Sequence, residues 1–176
     1  MLIKANGIQM NYELSGKKDG PFVILSHSLG SSLAMWNPQM KALEPHLQVL
    51  RYDIRGHGKS EAPPGAYTLE LLGEDAVALL DFLEIEKVHW TGLSMGGMIG
   101  QSVALNYPKR LQSLALCDTA AGGGGGGGGV GRGGEGEEAG GVGRGGGGAG
   151  VGARALEVIH SIHIQLARNQ LQHELA

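Results

Sequence analysis

Residues 88–107 of the chain read VHWTGLSMGGMIGQSVALNY, a short β-favouring run that passes through Gly92-Leu93-Ser94-Met95-Gly96 into a pattern typical of a helix. A Gly-x-Ser-x-Gly pattern between a strand and a helix predicts a nucleophile elbow, in which a sharp turn exposes the serine hydroxyl at the edge of a sheet. Gly92 and Gly96 fit this turn because it has room for only small residues two positions before and after the serine. The alternative is a tight turn in which the glycines serve only the backbone. The flanking strand and helix favour the elbow, with Ser94 as the candidate nucleophile.

Two backbone N–H groups are candidates for an oxyanion hole beside Ser94. The N–H of Met95 lies at the predicted start of a helix, where negative charge is stabilised. The N–H of Leu29 follows the predicted strand that ends at Ser26, and we expect it to face Ser94. His27, in the same loop, is interpreted as a hydrogen-bonding residue that shapes the loop rather than as a catalytic base.

Four further residues in the loops after the strands have predicted roles. Asp53 and Arg55 are predicted to form a salt bridge that fixes the loop after the strand at 48–52. His57, in the same loop, is predicted to lie near solvent. Trp36 is a candidate for the acyl pocket, with a core tryptophan as the alternative.

Composition and charge exclude several classes of protein. The chain has 176 residues and a net charge of -3, which suits one globular domain and argues against a nucleic-acid partner. It begins without a signal-peptide pattern and has no apolar stretch of the ~20 residues that span a bilayer, so a cytoplasmic location without membrane association is expected. Cys117 is the single cysteine and is predicted to be a packing residue. With no metal-binding cluster and no nucleotide-binding loop, neither a metal nor a cofactor is expected. Nothing in the sequence indicates an oligomeric state.

The chain divides into three parts by composition. Residues 1–121 are an ordinary globular mixture, whereas residues 122–152 are almost entirely glycine and are expected to be a disordered tether. Residues 153–176 place apolar side chains at helical spacing and predict an amphipathic helix. Within the first part, Asn6-Gly7 predicts a β-hairpin. Strands and helices then alternate, which predicts an α/β fold with a mostly parallel sheet. The strands are predicted at 1–5, 8–14, 22–26, 48–52, 88–91 and 111–117, and the helices at 38–43, at 68–83 and from the elbow to about 107.

Several motifs in order resemble the α/β-hydrolase superfamily, and within it the 3-oxoadipate enol-lactone hydrolases, over about residues 3–121. The resemblance implies an α/β-hydrolase fold, a small ester or lactone as substrate, and hydrolysis of the enol-lactone in bacterial breakdown of aromatic compounds (the β-ketoadipate pathway). It also implies Ser94 as nucleophile, with Leu29 and Met95 as donors to the oxyanion. The motifs are Ser28-Leu29-Gly30, Met35-Trp36-Asn37-Pro38-Gln39, Leu50-Arg51-Tyr52-Asp53-Ile54-Arg55-Gly56-His57-Gly58, Pro64-Gly65-Ala66-Tyr67-Thr68-Leu69, Leu72-Gly73-Glu74-Asp75 and Gly92-Leu93-Ser94-Met95-Gly96-Gly97.

The sequence departs from the family after the strand at 111–117, since the family's helical lid, last strands, acid-bearing loop and late histidine are not recognisable and are expected to be missing or replaced. A serine hydroxyl needs a base, normally a histidine oriented by a carboxylate. Asp118 is a candidate acid, with a capping residue at the strand end as the favoured alternative. No base is assigned, since His160, His163 and His173 lie in the predicted tail helix, mostly on or beside its polar face. Two hypotheses follow: a serine hydrolase of the enol-lactonase type, and a non-catalytic, truncated or chimeric pseudo-hydrolase that lacks the acid and the base.

Overall fold

The computed structural model of the chain describes residues 1–120, which form a six-stranded mixed sheet flanked by helices. The strand order is β1-β2-β4-β3-β5-β6. The pairs β1–β2 and β2–β4 are antiparallel, whereas β4, β3, β5 and β6 run parallel to one another. The strands are β1 (Leu2–Ala5), β2 (Ile8–Gly16), β3 (Phe22–Ser26), β4 (Gln48–Tyr52), β5 (Val88–Leu93) and β6 (Leu111–Cys117), and the helices are α1 (Asn37–Leu43), α2 (Leu69–Phe82) and α3 (Met95–Asn106). The predicted α/β architecture is confirmed.

The N-terminal hairpin turns at Asn6 and Gly7, as predicted. Both residues have positive φ, 45° and 78°, which is the conformation of the two central residues of a type I′ turn. Ala5 and Ile8 face each other across the turn. The second strand runs to Gly16, two residues beyond its predicted end, because Gly16 still pairs with Gln48 of β4.

The sheet has two apolar faces, and alternate residues of its central strands belong to different ones. Ile24 and Leu50 lie in a core under α2 and α3, whereas Val23 and Val49 lie in a smaller core under α1. Helices on both faces explain why β3 is a continuous apolar run rather than an alternating one.

Polar side chains cap the start of α2 and of a short 3-10 turn before α1. The Thr68 hydroxyl accepts a hydrogen bond from the Leu71 N–H at 3.1 Å, which starts α2 one residue after the predicted position. A 3-10 turn at Leu33–Trp36, capped by Ser32, precedes α1 and was not predicted. The third helix follows Ser94 directly and ends at Asn106, before Pro108.

The last described strand, β6, lies at one edge of the sheet and pairs only with β5 among residues 1–120. Each of its seven residues is at least partly exposed. The predicted glycine-rich tether at 122–152 and the predicted helix at 153–176 lie outside the described residues.

Candidate active site

Ser94 occupies a strained turn between β5 and α3. Its φ of 52° and ψ of -115° lie in a region that side-chain-bearing residues seldom adopt, as the predicted elbow requires. A Cβ atom on Gly92 would lie 2.2 Å from the Gly96 carbonyl oxygen, and one on Gly96 would lie 2.1 Å from the Ser26 carbonyl oxygen. Both positions therefore require glycine, which agrees with the steric basis of the sequence prediction.

Hydrogen bonds to β6 and from β5 hold the turn. The Ser94 N–H donates to the Cys117 carbonyl at the end of β6, at 2.9 Å. On the other side of the helix start, the indole Nε1 of the fully buried Trp90 donates to the Gly96 carbonyl at 3.1 Å. The strained conformation is thus over-determined by contacts with the sheet, as a persistent strained residue requires.

The two predicted oxyanion-hole loops lie at the same edge of the sheet. Ser26, the last residue of β3, pairs with Gly92 of β5, and both strands run in the same direction. The chain that follows β3 therefore emerges beside the elbow. Neither the Leu29 N–H nor the Met95 N–H donates a hydrogen bond to another residue within the range 1–120. An oxyanion hole needs free backbone donors of this kind, and the assignment of these two N–H groups beside the half-buried Ser94 stays a prediction. Leu29 itself is 58 % exposed.

His27 is buried behind the oxyanion loop and serves the backbone. Its Nε2 accepts the N–H of Ile54 at 3.0 Å, and its Nδ1 lies 2.8 Å from the Ser28 carbonyl. These contacts specify a neutral ring with its proton on Nδ1, donated to the Ser28 carbonyl. Burial lowers the pKa of His27, although the bond to Ser28 acts in the opposite direction. His27 is therefore the structural residue that the sequence favoured.

The predicted salt bridge between Asp53 and Arg55 is wrong. Arg55 instead pairs with Asp75 of α2 through Nε at 2.7 Å and a terminal nitrogen at 2.6 Å. The buried Asp53 carboxylate accepts the N–H of Leu33 at 2.7 Å and the N–H of Lys59 at 2.8 Å. Asp53 still fixes the loop after β4, but through backbone donors, because the Arg55 side chain is directed towards a helix that the sequence does not place beside it.

His57 in the same loop is partly exposed, which agrees with its predicted position near solvent. Its ring centroid lies 5.3 Å from that of His27, and its Nδ1 lies 3.1 Å from the Arg55 carbonyl. It makes no hydrogen bond to Ser94.

Trp36 and Asp118, the weaker sequence candidates, have different surroundings. Trp36 is 8 % exposed and packs in the core under α1, which agrees with the core alternative, and its role in the acyl pocket stays a prediction. Asp118 directly follows β6 with a φ of 42° and is exposed. The hydrogen bonds of the histidines within residues 1–120 go to other residues. The proposed role of Asp118 as the acid also stays a prediction.

No base for Ser94 is found between residues 1 and 120. The serine side chain makes no capping hydrogen bond, and no described histidine bonds to it. His46 is exposed after α1, and His89 lies near the opposite end of β5, where its Nδ1 is 2.8 Å from the Ser113 hydroxyl. The three histidines at positions 160, 163 and 173 lie outside the described residues.

Two further properties of the described chain bear on its possible ligands. Across residues 1–120, no three histidine, cysteine or acidic side chains are grouped so that they could hold a metal ion. None of the helices in this range is both long and apolar enough to cross a bilayer.

Comparisons with known proteins place these features in context. A family model described as the alpha/beta hydrolase fold matches residues 21–123. The 3-oxoadipate enol-lactonase 2 of Acinetobacter baylyi is 40% identical over 119 residues, which cover 68% of this chain and 45% of that protein. A protein named as a carbamate hydrolase, from Stutzerimonas stutzeri, is 42% identical over 108 residues, which cover 60% of this chain and 41% of that protein.

A solved structure shows the same pattern of partial coverage. The crystal structure of the enol-lactonase from Burkholderia xenovorans matches with a TM-score of 0.67 and 45% identity, over 68% of this chain and 47% of that one. The chain therefore spans less than half the length of the relatives that it matches.

Proposed function

Because the chain belongs to the family of the alpha/beta hydrolase fold, we propose that it is the nucleophile-bearing part of a serine hydrolase that acts on a small carboxylic ester or lactone. The observation that carries this proposal is the geometry of Ser94, with its φ of 52° and ψ of -115° at the start of α3. A serine that caps a helix only with its backbone leaves its hydroxyl free for chemistry. The unpaired N–H of Met95, in the same turn, supports the same interpretation.

The proposed reaction has two halves. The Ser94 hydroxyl attacks the substrate carbonyl while a base removes its proton, and the N–H groups of Leu29 and Met95 stabilise the negative oxygen that forms. The bond to the leaving oxygen then breaks as this oxygen takes the proton from the base, which opens the ring when the substrate is a lactone and leaves an acyl group on Ser94. Water gives a proton to the base and attacks this acyl-enzyme, and the proton returns to Ser94 as the acid is released. The start of α3 adds a partial positive charge where the oxyanion develops.

We propose 3-oxoadipate enol-lactone as the substrate, in the breakdown of aromatic compounds. The support is the identity of 40% and 45% to two proteins that carry the name enol-lactonase. The relative named as a carbamate hydrolase, at 42% identity, makes a carbamate the competing substrate class. Both classes present a carbonyl to the same nucleophile, so the elbow does not distinguish them and a substrate panel is needed.

One observation favours the second hypothesis, a non-catalytic chain that binds small carbonyl compounds. Within residues 1–120, Ser94 has no histidine partner, and a serine hydroxyl without a base is a poor nucleophile at neutral pH. An oxyanion hole without a base still polarises a bound carbonyl, which gives binding with slow turnover. The two hypotheses differ in whether Ser94 is activated.

The deciding experiment is covalent labelling of the full purified chain with a fluorophosphonate, located by peptide mass spectrometry, with Ser94→Ala as the control. Rapid labelling confined to Ser94 and absent from Ser94→Ala is the expected result. A folded chain that fails to react contradicts the hydrolase and supports the non-catalytic hypothesis. Hydrolysis of the enol-lactone, a simple aryl ester and a carbamate by the same preparation then identifies the substrate class.

A further inference from the structure

Thr119 contacts the backbone of the candidate nucleophile from the loop that follows β6. Its hydroxyl donates to the Ser94 carbonyl oxygen at 2.6 Å, across 25 residues of sequence. We propose that Thr119 is a positioning residue, which orients the peptide unit between Ser94 and Met95 so that the Met95 N–H is directed at the substrate oxyanion. This inference rests on the proposed function, because it assigns a role within the same oxyanion hole.

The geometry of the peptide bond carries the inference. The carbonyl of Ser94 and the N–H of Met95 belong to one planar trans peptide, so they point in opposite directions and rotate together. A hydrogen bond that holds the carbonyl oxygen therefore also sets the direction of the N–H. Acceptance of a hydrogen bond by this carbonyl also polarises the amide and strengthens its N–H as a donor.

Donors of the helix hold the same carbonyl from one side. The Ser94 carbonyl also accepts the N–H groups of Gly97 at 2.9 Å and Met98 at 3.1 Å, and both donors move with α3. Thr119 supplies the contact that ties the same oxygen to the sheet side of the elbow. Together with the bond from the Ser94 N–H to Cys117, at 2.9 Å, it holds both ends of the Ser94 residue to the end of β6.

The side chain of Thr119 is held in place by close packing against Gly97. A Cβ atom on Gly97 would lie 2.7 Å from the Thr119 Cβ and 2.8 Å from both of its outer atoms, so the glycine leaves the space that this side chain fills. Beyond it, the Ala120 carbonyl accepts a bond from Gln101 Nε2 of α3 at 2.8 Å. The threonine is thus confined between β6 and α3, with its hydroxyl directed at the elbow.

The test compares three variants of the full chain by the kinetics of fluorophosphonate labelling. Thr119→Val keeps the shape and removes the hydroxyl, whereas Thr119→Ser keeps the hydroxyl. Ser113→Ala removes a hydroxyl within β6 that lies 2.8 Å from His89 Nδ1 and makes no bond to the elbow. We expect Thr119→Val to lower the maximal labelling rate about tenfold with little change in reagent affinity, since one hydrogen bond is lost from the reacting geometry. Thr119→Ser is expected to stay within about twofold of the wild type, and Ser113→Ala to match it.

Two results overturn the proposal while leaving the hydrolase intact. One is a wild-type labelling rate in Thr119→Val. The other is an equal loss of rate in Thr119→Ser and Thr119→Val, which assigns the effect to packing rather than to the hydroxyl.

Hydrogen exchange of the Gly97 and Met98 amides gives a readout that needs no activity. Both amides donate to the Ser94 carbonyl that Thr119 anchors beside the end of β6. Loss of this anchor lets the carbonyl move, so faster exchange is expected in Thr119→Val and not in Thr119→Ser. If the wild type is not labelled but the two variants differ in exchange as described, the proposed function is rejected and the positioning role is supported. Unchanged exchange in both variants rejects the positioning role.

Discussion

Replacement of Gly96 by alanine tests whether the elbow and the oxyanion loop depend on one close backbone contact. The new Cβ would lie 2.1 Å from the Ser26 carbonyl oxygen and 2.8 Å from that of His27. Ordinary contacts of a Cβ atom begin near 3.4 Å, so the elbow and the end of β3 must separate by roughly 1 Å. Both obstructing atoms belong to the backbone, which shifts less easily than the far end of a flexible side chain.

The expected loss of stability is about 3 kcal/mol, at the upper end of the range for overpacking, because main chain rather than side chain must shift. This loss is a large fraction of the ~5 to 15 kcal/mol that stabilise a typical domain. Labelling of Ser94 is expected to slow about 100-fold, since a 1 Å displacement of catalytic groups has an effect of that order. The shift moves the loop that carries Leu29 away from the turn that carries Met95.

The assay is urea denaturation followed by tryptophan fluorescence, with Trp36 and Trp90 both buried as reporters, together with the labelling rate. Gly7→Ala is the matched control. Its Cβ would meet no atom within 4 Å, and its φ of 78° is the only obstacle, so a loss of about 1 kcal/mol without slower labelling is expected. A Gly96→Ala chain as stable and as reactive as the control would refute the close contact as the determinant of the site.

Two further predictions concern buried charge. Asp75→Asn leaves the Arg55 guanidinium without its buried carboxylate and is expected to lower the free energy of unfolding by about 3 to 5 kcal/mol in urea denaturation. The control Asp81→Asn removes one partner of an exposed ion pair and is expected to lower it by less than about 1 kcal/mol. Equal losses would contradict the role of burial. Burial lowers the pKa of His27 and of His89 below 6.5, so the unfolded chain binds more protons and stability is expected to fall as the pH drops below about 6.5. His27→Gln is expected to reduce that fall, and an unchanged pH profile of unfolding would count against the assignment.

Sequence patterns correctly predicted the elements whose structure is determined by residues close together in the chain. The apolar run of β3 and the turn at Asn6-Gly7 each specify their structure within a few residues, and both were placed correctly. The end of β2 was missed because its last residues are extended only through pairing with β4, more than 30 residues later.

The residues of the candidate site also divide into those that nearby sequence identifies and those that it does not. Ser94, Gly92 and Gly96 were recognisable because the turn imposes its steric requirement within five residues. The partners of Asp53 and Arg55 were not, since the Leu33 N–H and the Asp75 carboxylate each lie 20 residues away along the chain. Thr119 carried no signal at all, because a threonine after a strand is common and its bond to Ser94 exists only through the register of β5 with β6.

The strand order also has a consequence for synthesis on the ribosome. The two neighbours of β3 are β4 and β5, so both emerge from the ribosome after it, and β4 must enter between β2 and β3. The first hairpin can form once Asn11 has been added, but the apolar run of β3 has no complete partner until Arg51. During that interval the nascent chain carries an unpaired apolar strand. Slower translation across residues 27–52 is expected to lengthen the exposure of this strand to chaperones and to neighbouring chains.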